Sequence, residues 1–132
     1  MPRQNGASSR NIRTLSVSSG DKYQNGSVTT PRVITPQIHV LCKSISEYEP
    51  VFVPVVAEPG NLINECFHNV YAYIEKHGGQ KILGCSIWQS ANVLIEAEAH
   101  AVWKSPSGNM VDVTPHSNNE TSILFSVDHQ DI

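Results

Sequence analysis

The stretch from Val93 to Val113 reads VLIEAEAHAVWKSPSGNMVDV, and its alternation decides the fold. Val93, Ile95, Ala97, Ala99, Ala101 and Trp103 fall on one side of an extended chain. Leu94, Glu96, Glu98, His100 and Val102 fall on the other. A period of two sustained over this length marks a half-buried strand. Ser105-Pro106-Ser107-Gly108 then reads as a turn, and Met110 to Val113 as a strand folded back on the first. A register centred on Pro106 sets His100 opposite Asp112, Ala101 opposite Val111 and Ala99 opposite Val113. Facing residues in such a pair have Cβ atoms about 4.5–5.5 Å apart. A slip of one residue would send His100 and Asp112 to opposite faces, so the expectation is sharp.

Working outward, Ile82 to Trp88 and Ile123 to Val127 read as further strands. Val51 to Val56 is another, and Pro54 within it argues for an edge position or a bulge. Ile38 to Leu41 is read as a short strand, and Glu58-Pro59-Gly60-Asn61 as a turn. Glu65 to His77 has the pattern of a helix, with Phe67, Val70, Tyr71 and Ile74 at i, i+3, i+4 and i+7. Asn64 is placed as its N-cap, Lys76 and His77 suit the last turn, and Gly78-Gly79 ends it. One main helix packed on an antiparallel sheet is an α+β arrangement.

The chain of 132 residues has the size of one domain, and its 39% apolar content leaves room for a part outside the core. That part is placed at residues 1–36, a Ser-, Asn- and Arg-rich segment expected to be a flexible basic arm, with brief pairing near Arg32 to Thr35 at most. It carries Arg3, Arg10, Arg13, Lys22 and Arg32 against Asp21 alone. Residues 37–132 form the expected domain and hold all but one of the twelve acids against Lys43, Lys76, Lys81 and Lys104. An acidic domain lacks the positive surface that phosphate backbones require, so nucleic acid is not an expected partner. No apolar stretch has the length to span a bilayer, and no membrane partner is expected. Cys42, Cys66 and Cys85 are three in number and have no metal-ligand spacing. Free thiols in a reducing, cytoplasmic setting are the expectation.

Cys66 lies in the first turn of the expected helix, where unpaired N–H groups and the helix dipole stabilise an anion. The thiolate is the reactive form of cysteine, and the same N–H groups suit an oxyanion. Taken alone, Cys66 reads more readily as a small buried hydrophobe sharing a face with Val70 and Tyr73. His100 alone reads as a solvated strand histidine, and Asp112 as a carboxylate near a turn. Together they supply a nucleophile, a base and a group that orients the base. Asn64 and Asn69, both close to Cys66, are candidate supports for the oxyanion and the neighbouring loop. Glu98 and Trp88 are candidate substrate-binding residues near His100; a solvated face for Glu96 and Glu98 and a core position for Trp88 are the plainer readings. Zinc ligation by Cys66, His68, His100 and His116 is not expected, because residues two apart on a helix diverge. No metal and no cofactor are expected.

His100-Ala101-Val102-Trp103, Gly108 and Val111-Asp112-Val113-Thr114-Pro115 together resemble the His-Ala-Trp, Gly and Val-Asp-Pro-Thr stretch of transglutaminase-like proteins. Those proteins place a Cys at a helix start, a His on the sheet and an Asp on the adjoining strand, and Cys66, His100 and Asp112 follow that order. The spacing is similar to that of compact members and of arylamine acetyltransferases. Cys66-Phe67-His68-Asn69-Val70 and Glu96 to Trp103 also resemble segments of small bacterial and phage proteins. The resemblance runs from about Asn61 to His116. It implies a papain/transglutaminase-like core and a thiol-dependent acyl hydrolase or acyltransferase of the amidase, deamidase or peptidase type. The expected substrate is a protein, a peptide or a small acyl compound. The alternative is a non-catalytic binding or inhibitor protein on the same scaffold.

Overall fold

The computed structural model describes residues 12–16, 28–90 and 94–128. Among the described residues nine elements follow one another: β1 (Ile12–Ser16), β2 (Val28–Thr29), α1 (Pro36–Ile45), β3 (Val51–Pro54), α2 (Cys66–His77), β4 (Gln80–Ser90), β5 (Leu94–Lys104), β6 (Met110–Val111) and β7 (Ser122–Val127). The class is α+β, with two helices on an antiparallel sheet among the described residues.

The long β4–β5 pair is the spine. Each of the eleven residues from Gln80 to Ser90 faces one from Leu94 to Lys104, and Gly84 lies opposite His100. The sheet runs in the order β1-β5-β4-β7-β3, with β2 alongside β4 and β6 alongside β5. Pro54 ends β3, which is an edge strand on this path, as its missing N–H requires. Beyond it, Val55 bridges Asp112 in parallel. The Val56 N–H donates to the Asp112 carbonyl, and the Asp112 N–H to the Pro54 carbonyl, both at 2.9 Å. The path β6-β5-β4-β7-β3 thereby returns to the segment that follows β6.

The sheet has two buried faces. On one, α1 packs Ile38, Leu41 and Cys42 against Ile87, Ile95, Ala97 and Leu124. Further along the same face of β5, α2 packs Cys66 and Val70 against Ala101 and Val113. The opposite face gathers Val53, Ile82, Trp88, Val102, Ile123 and Phe125. Odd and even positions of β5 thus divide between the faces as the alternation predicts.

Four local expectations are corrected. Ile38 to Leu41 lies in helix α1 and not in a strand: Thr35 caps it by accepting the Ile38 N–H, and Pro36 opens the first turn. Helix α2 begins at Cys66 with Glu65 as N-cap, and Asn64 takes a left-handed φ of 67° one residue earlier. Its buried side runs through Cys66, Asn69 and Val70, while Phe67 and Tyr71 are 48% and 63% exposed. Residues 1–36 are not simply an arm, because β1 pairs with Leu94–Glu98 of β5 and β2 with Gln89 and Ser90 of β4. Backbone pairing along a strand edge needs no apolar period, which is why composition did not reveal it. Residues 1–11 and 17–27 of that segment lie outside the described residues.

Candidate active site

The β5–β6 hairpin pairs Trp103 with Val111 and Lys104 with Met110. This register is two residues away from the one centred on Pro106. A shift of two preserves the face, so Asp112 still looks toward the side of β5 that carries His100. After two rungs the chain leaves β5, and Asp112 is held by Val55 instead. The result is a direct contact: His100 Nε2 donates to Asp112 Oδ2 at 3.0 Å, with both side chains buried.

Helix α2 brings Cys66 to the same place. Its C-terminal end is pinned where the Trp103 indole N–H donates to the Gly78 carbonyl at 2.7 Å and Tyr73 meets the Trp103 ring edge-on. At its other end Cys66 packs on Ala101 and interacts with the His100 imidazole. Glu65 makes no side-chain capping bond, so the N-cap side chain does not take up the N–H groups beside the sulfur. The three predicted residues thus converge.

Asn69 does not face the reacting groups. Its amide donates to the Leu62 carbonyl at 2.9 Å and to Thr114 Oγ1 at 3.0 Å. The Thr114 N–H in turn donates to Asp112 Oδ1 at 3.2 Å. The segment after Asp112 is further held by the Asn61 side chain, which donates to the Val113 carbonyl at 2.8 Å. Asn69 therefore ties the helix of Cys66 to the segment of Asp112.

His116 was given no role in the sequence, yet its Nε2 reaches the same Asp112 Oδ2 at 2.7 Å. The two imidazole centroids are 5.5 Å apart, and His116 also lies against Trp88 at 5.3 Å. The available signal was the spacing Asp112 to His116 across Pro115, which lets a short turn bring the ring back to the carboxylate.

Electrostatics follow from this crowding. Burial works to lower the His100 pKa, but the charge and hydrogen bond of Asp112, assisted by Cys66, raise it to about 10. Burial works to raise Asp112, and His100 and His116 outweigh it, lowering the carboxyl to about 2. The imidazolium–carboxylate pair is therefore the favoured state near neutrality. Cys42 is of a different kind: burial, then Cys85 and Glu49, push its thiol up to about 11.

A cleft of about 370 Å³ opens beside the cluster, lined by Ile63, Asn64, Trp88, Glu96, Glu98 and His116 among others. Trp88 and Glu98, the two predicted substrate-binding residues, both line it, and Asn64 stands at its rim two residues before Cys66. The Trp88 indole N–H donates to Ser86 Oγ, which fixes the ring as a wall. A larger cleft of about 810 Å³, around Arg32, Phe52 and Glu120, contains none of these residues.

No family model, no curated protein and no solved structure matches the chain.

Proposed function

We propose that the protein is a thiol-dependent acyl hydrolase or acyltransferase with a papain/transglutaminase-like core and a Cys66-His100-Asp112 triad. One observation carries the reading: a single buried imidazole interacts with the Cys66 thiol and with a buried carboxylate. With Nε2 committed to Asp112, Nδ1 is the nitrogen left to exchange a proton with sulfur. The imidazolium that Asp112 favours is the partner a thiolate requires.

The steps follow from that arrangement. Sulfur attacks the carbonyl carbon of an amide, ester or thioester, and the carbonyl electrons move to oxygen. The uncapped N–H groups at the start of α2 donate to that oxyanion. Collapse breaks the bond to the leaving group, which takes the His100 proton. Water or an amine then attacks the thioester, gives its proton to His100, and releases the product as the thiol reforms. Asp112 holds the ring throughout and does not itself change protonation. The Trp88–Glu98 cleft suits a substrate that presents an apolar face and a cationic or amine group.

The test is alkylation of the native protein by iodoacetamide near neutral pH. Cys66 should react well ahead of Cys42, and His100→Ala should abolish that preference. Equal labelling of the two thiols, indifferent to His100, would sink the catalytic reading.

A second reading rests on the outward side of α2, where Phe67 and Tyr71 are exposed, as is Leu62 in the segment before the helix. Such a surface fits a protein partner, as a substrate site or as the working face of a non-catalytic binding or inhibitor protein. Under the non-catalytic reading, Cys66→Ala retains biological activity and Phe67→Asp loses it.

A further inference from the structure

We propose that His100, Asp112 and His116 form a site for one divalent transition-metal ion of the zinc type, reached through the Glu96–Glu98 cleft. Each residue offers one ligand atom, and the three atoms lie within 4.8 Å of one another. Both imidazoles aim Nε2 at one oxygen, Asp112 Oδ2, at 3.0 and 2.7 Å. An ion at that focus takes the place of the protons the rings lend to the carboxylate, and those protons are released to solvent. Two imidazoles and a carboxylate are a zinc donor set with three protein positions and a fourth left for water. Magnesium and calcium prefer oxygen donors, so the set selects against them.

The surroundings support ligation. The Thr114 N–H holds Asp112 Oδ1, leaving Oδ2 to face the rings. Phe125 lies edge-on to His100 at 6.3 Å, and Trp88 lies against His116, so both rings have fixed orientations. His116 lines the cleft, and among the described residues its walls carry Glu96 and Glu98 and no lysine or arginine. Its negative potential concentrates cations at the mouth of the site. The set differs from the one weighed in the sequence: it leaves out Cys66 and His68 and requires Asp112. Binding the ion also removes the contact that orients His100, so the metal-bound protein is the unreactive form. That last consequence, unlike binding, rests on the proposed function.

The full chain is titrated with zinc by calorimetry, and with cobalt(II) by visible spectroscopy. One equivalent should bind, with a tetrahedral cobalt spectrum and no thiolate charge-transfer band. His116→Ala should weaken binding by more than about tenfold, since even outer-shell changes cost that much. Cys66→Ala should bind as the wild type does, which separates this site from the catalytic proposal. Should His116→Ala lose its circular dichroism spectrum, His116→Gln serves in its place. Zinc should slow iodoacetamide labelling of Cys66. Failure of micromolar zinc to bind, unchanged affinity in the His116 variants, or a thiolate band would overturn the assignment.

Discussion

The Asn69 amide donates to Thr114 Oγ1 at 3.0 Å across a buried gap between helix α2 and the segment after β6. Cys66 sits one turn before Asn69, and Asp112 two residues before Thr114. A side chain that is neither nucleophile nor carboxylate thus ties together the segments that carry them. Asn69→Ala removes the donor from both Leu62 and Thr114. The expected loss is about 1–3 kcal/mol in urea unfolding, the usual effect of breaking buried polar contacts. Cys66 alkylation should slow in the folded variant, while Asn69→Gln, which keeps the donor on a longer arm, should recover little.

The His100–Asp112 pair predicts a pH dependence. His100 is raised from 6.5 to about 10, so its contribution to stability is complete below 6.5 and is lost as pH climbs through about 10. Asp112 is lowered from 3.8 to about 2, so its contribution is present above 3.8 and is lost as pH falls through about 2. Urea midpoints should peak between these ranges and decline on the alkaline side. Asp112→Asn leaves burial of His100 opposed by Cys66 alone, so the alkaline decline should flatten. A variant curve parallel to the wild type at high pH would contradict the coupling.

Thiol accessibility should divide the cysteines. Cys42 is fully buried among Ile38, Leu41 and Ile87, and its thiol is pushed up to about 11. It should resist alkylation in the native protein up to pH 9 or so, within the range where thiolates are scarce. In strong denaturant all three cysteines should react alike. Peptide mapping after timed labelling reads both outcomes.

Gly84 is the residue that lets His100 and Phe125 share one face. A Cβ there would lie 2.2 Å from the Ser126 carbonyl oxygen and 2.8 Å from the Phe125 ring. Gly84→Ala should destabilise by about 1–3 kcal/mol, as overpacking does, with the larger value favoured because the obstacle is backbone. Thermal unfolding measures it. A neutral result would mean that β4 and β7 are farther apart than the paired register requires.

Thr35 caps α1 by accepting the Ile38 N–H at 3.3 Å. Thr35→Ala should cost about 1 kcal/mol. Thr35→Ser should be close to neutral in the same chemical denaturation assay.

Much of the spine was legible because its signals are local. The alternation through Leu94 to Trp103, the turn at Ser105 to Gly108 and the glycine stop of α2 depend only on neighbouring residues. Helix α1 was legible too, since Ile38, Leu41, Cys42 and Ile45 keep the helical period after Thr35-Pro36. A short apolar run reads as strand or helix with equal ease, which is why Ile38 to Leu41 gives the expectation of a strand. The side of α2 that is buried was decided by packing on Ala101 and Val113, which no period within the helix specifies.

The sequence by itself determined the identities and order of Cys66, His100 and Asp112, and the strand alternation that puts His100 and Asp112 on one face. The tertiary structure alone decided the register two residues away, the Val55–Asp112 bridge, and the return of His116 to the carboxylate. The physical reason is range. Periodicity and turn preference act over a few residues, whereas a strand edge chooses its partner by whichever distant segment satisfies its backbone groups.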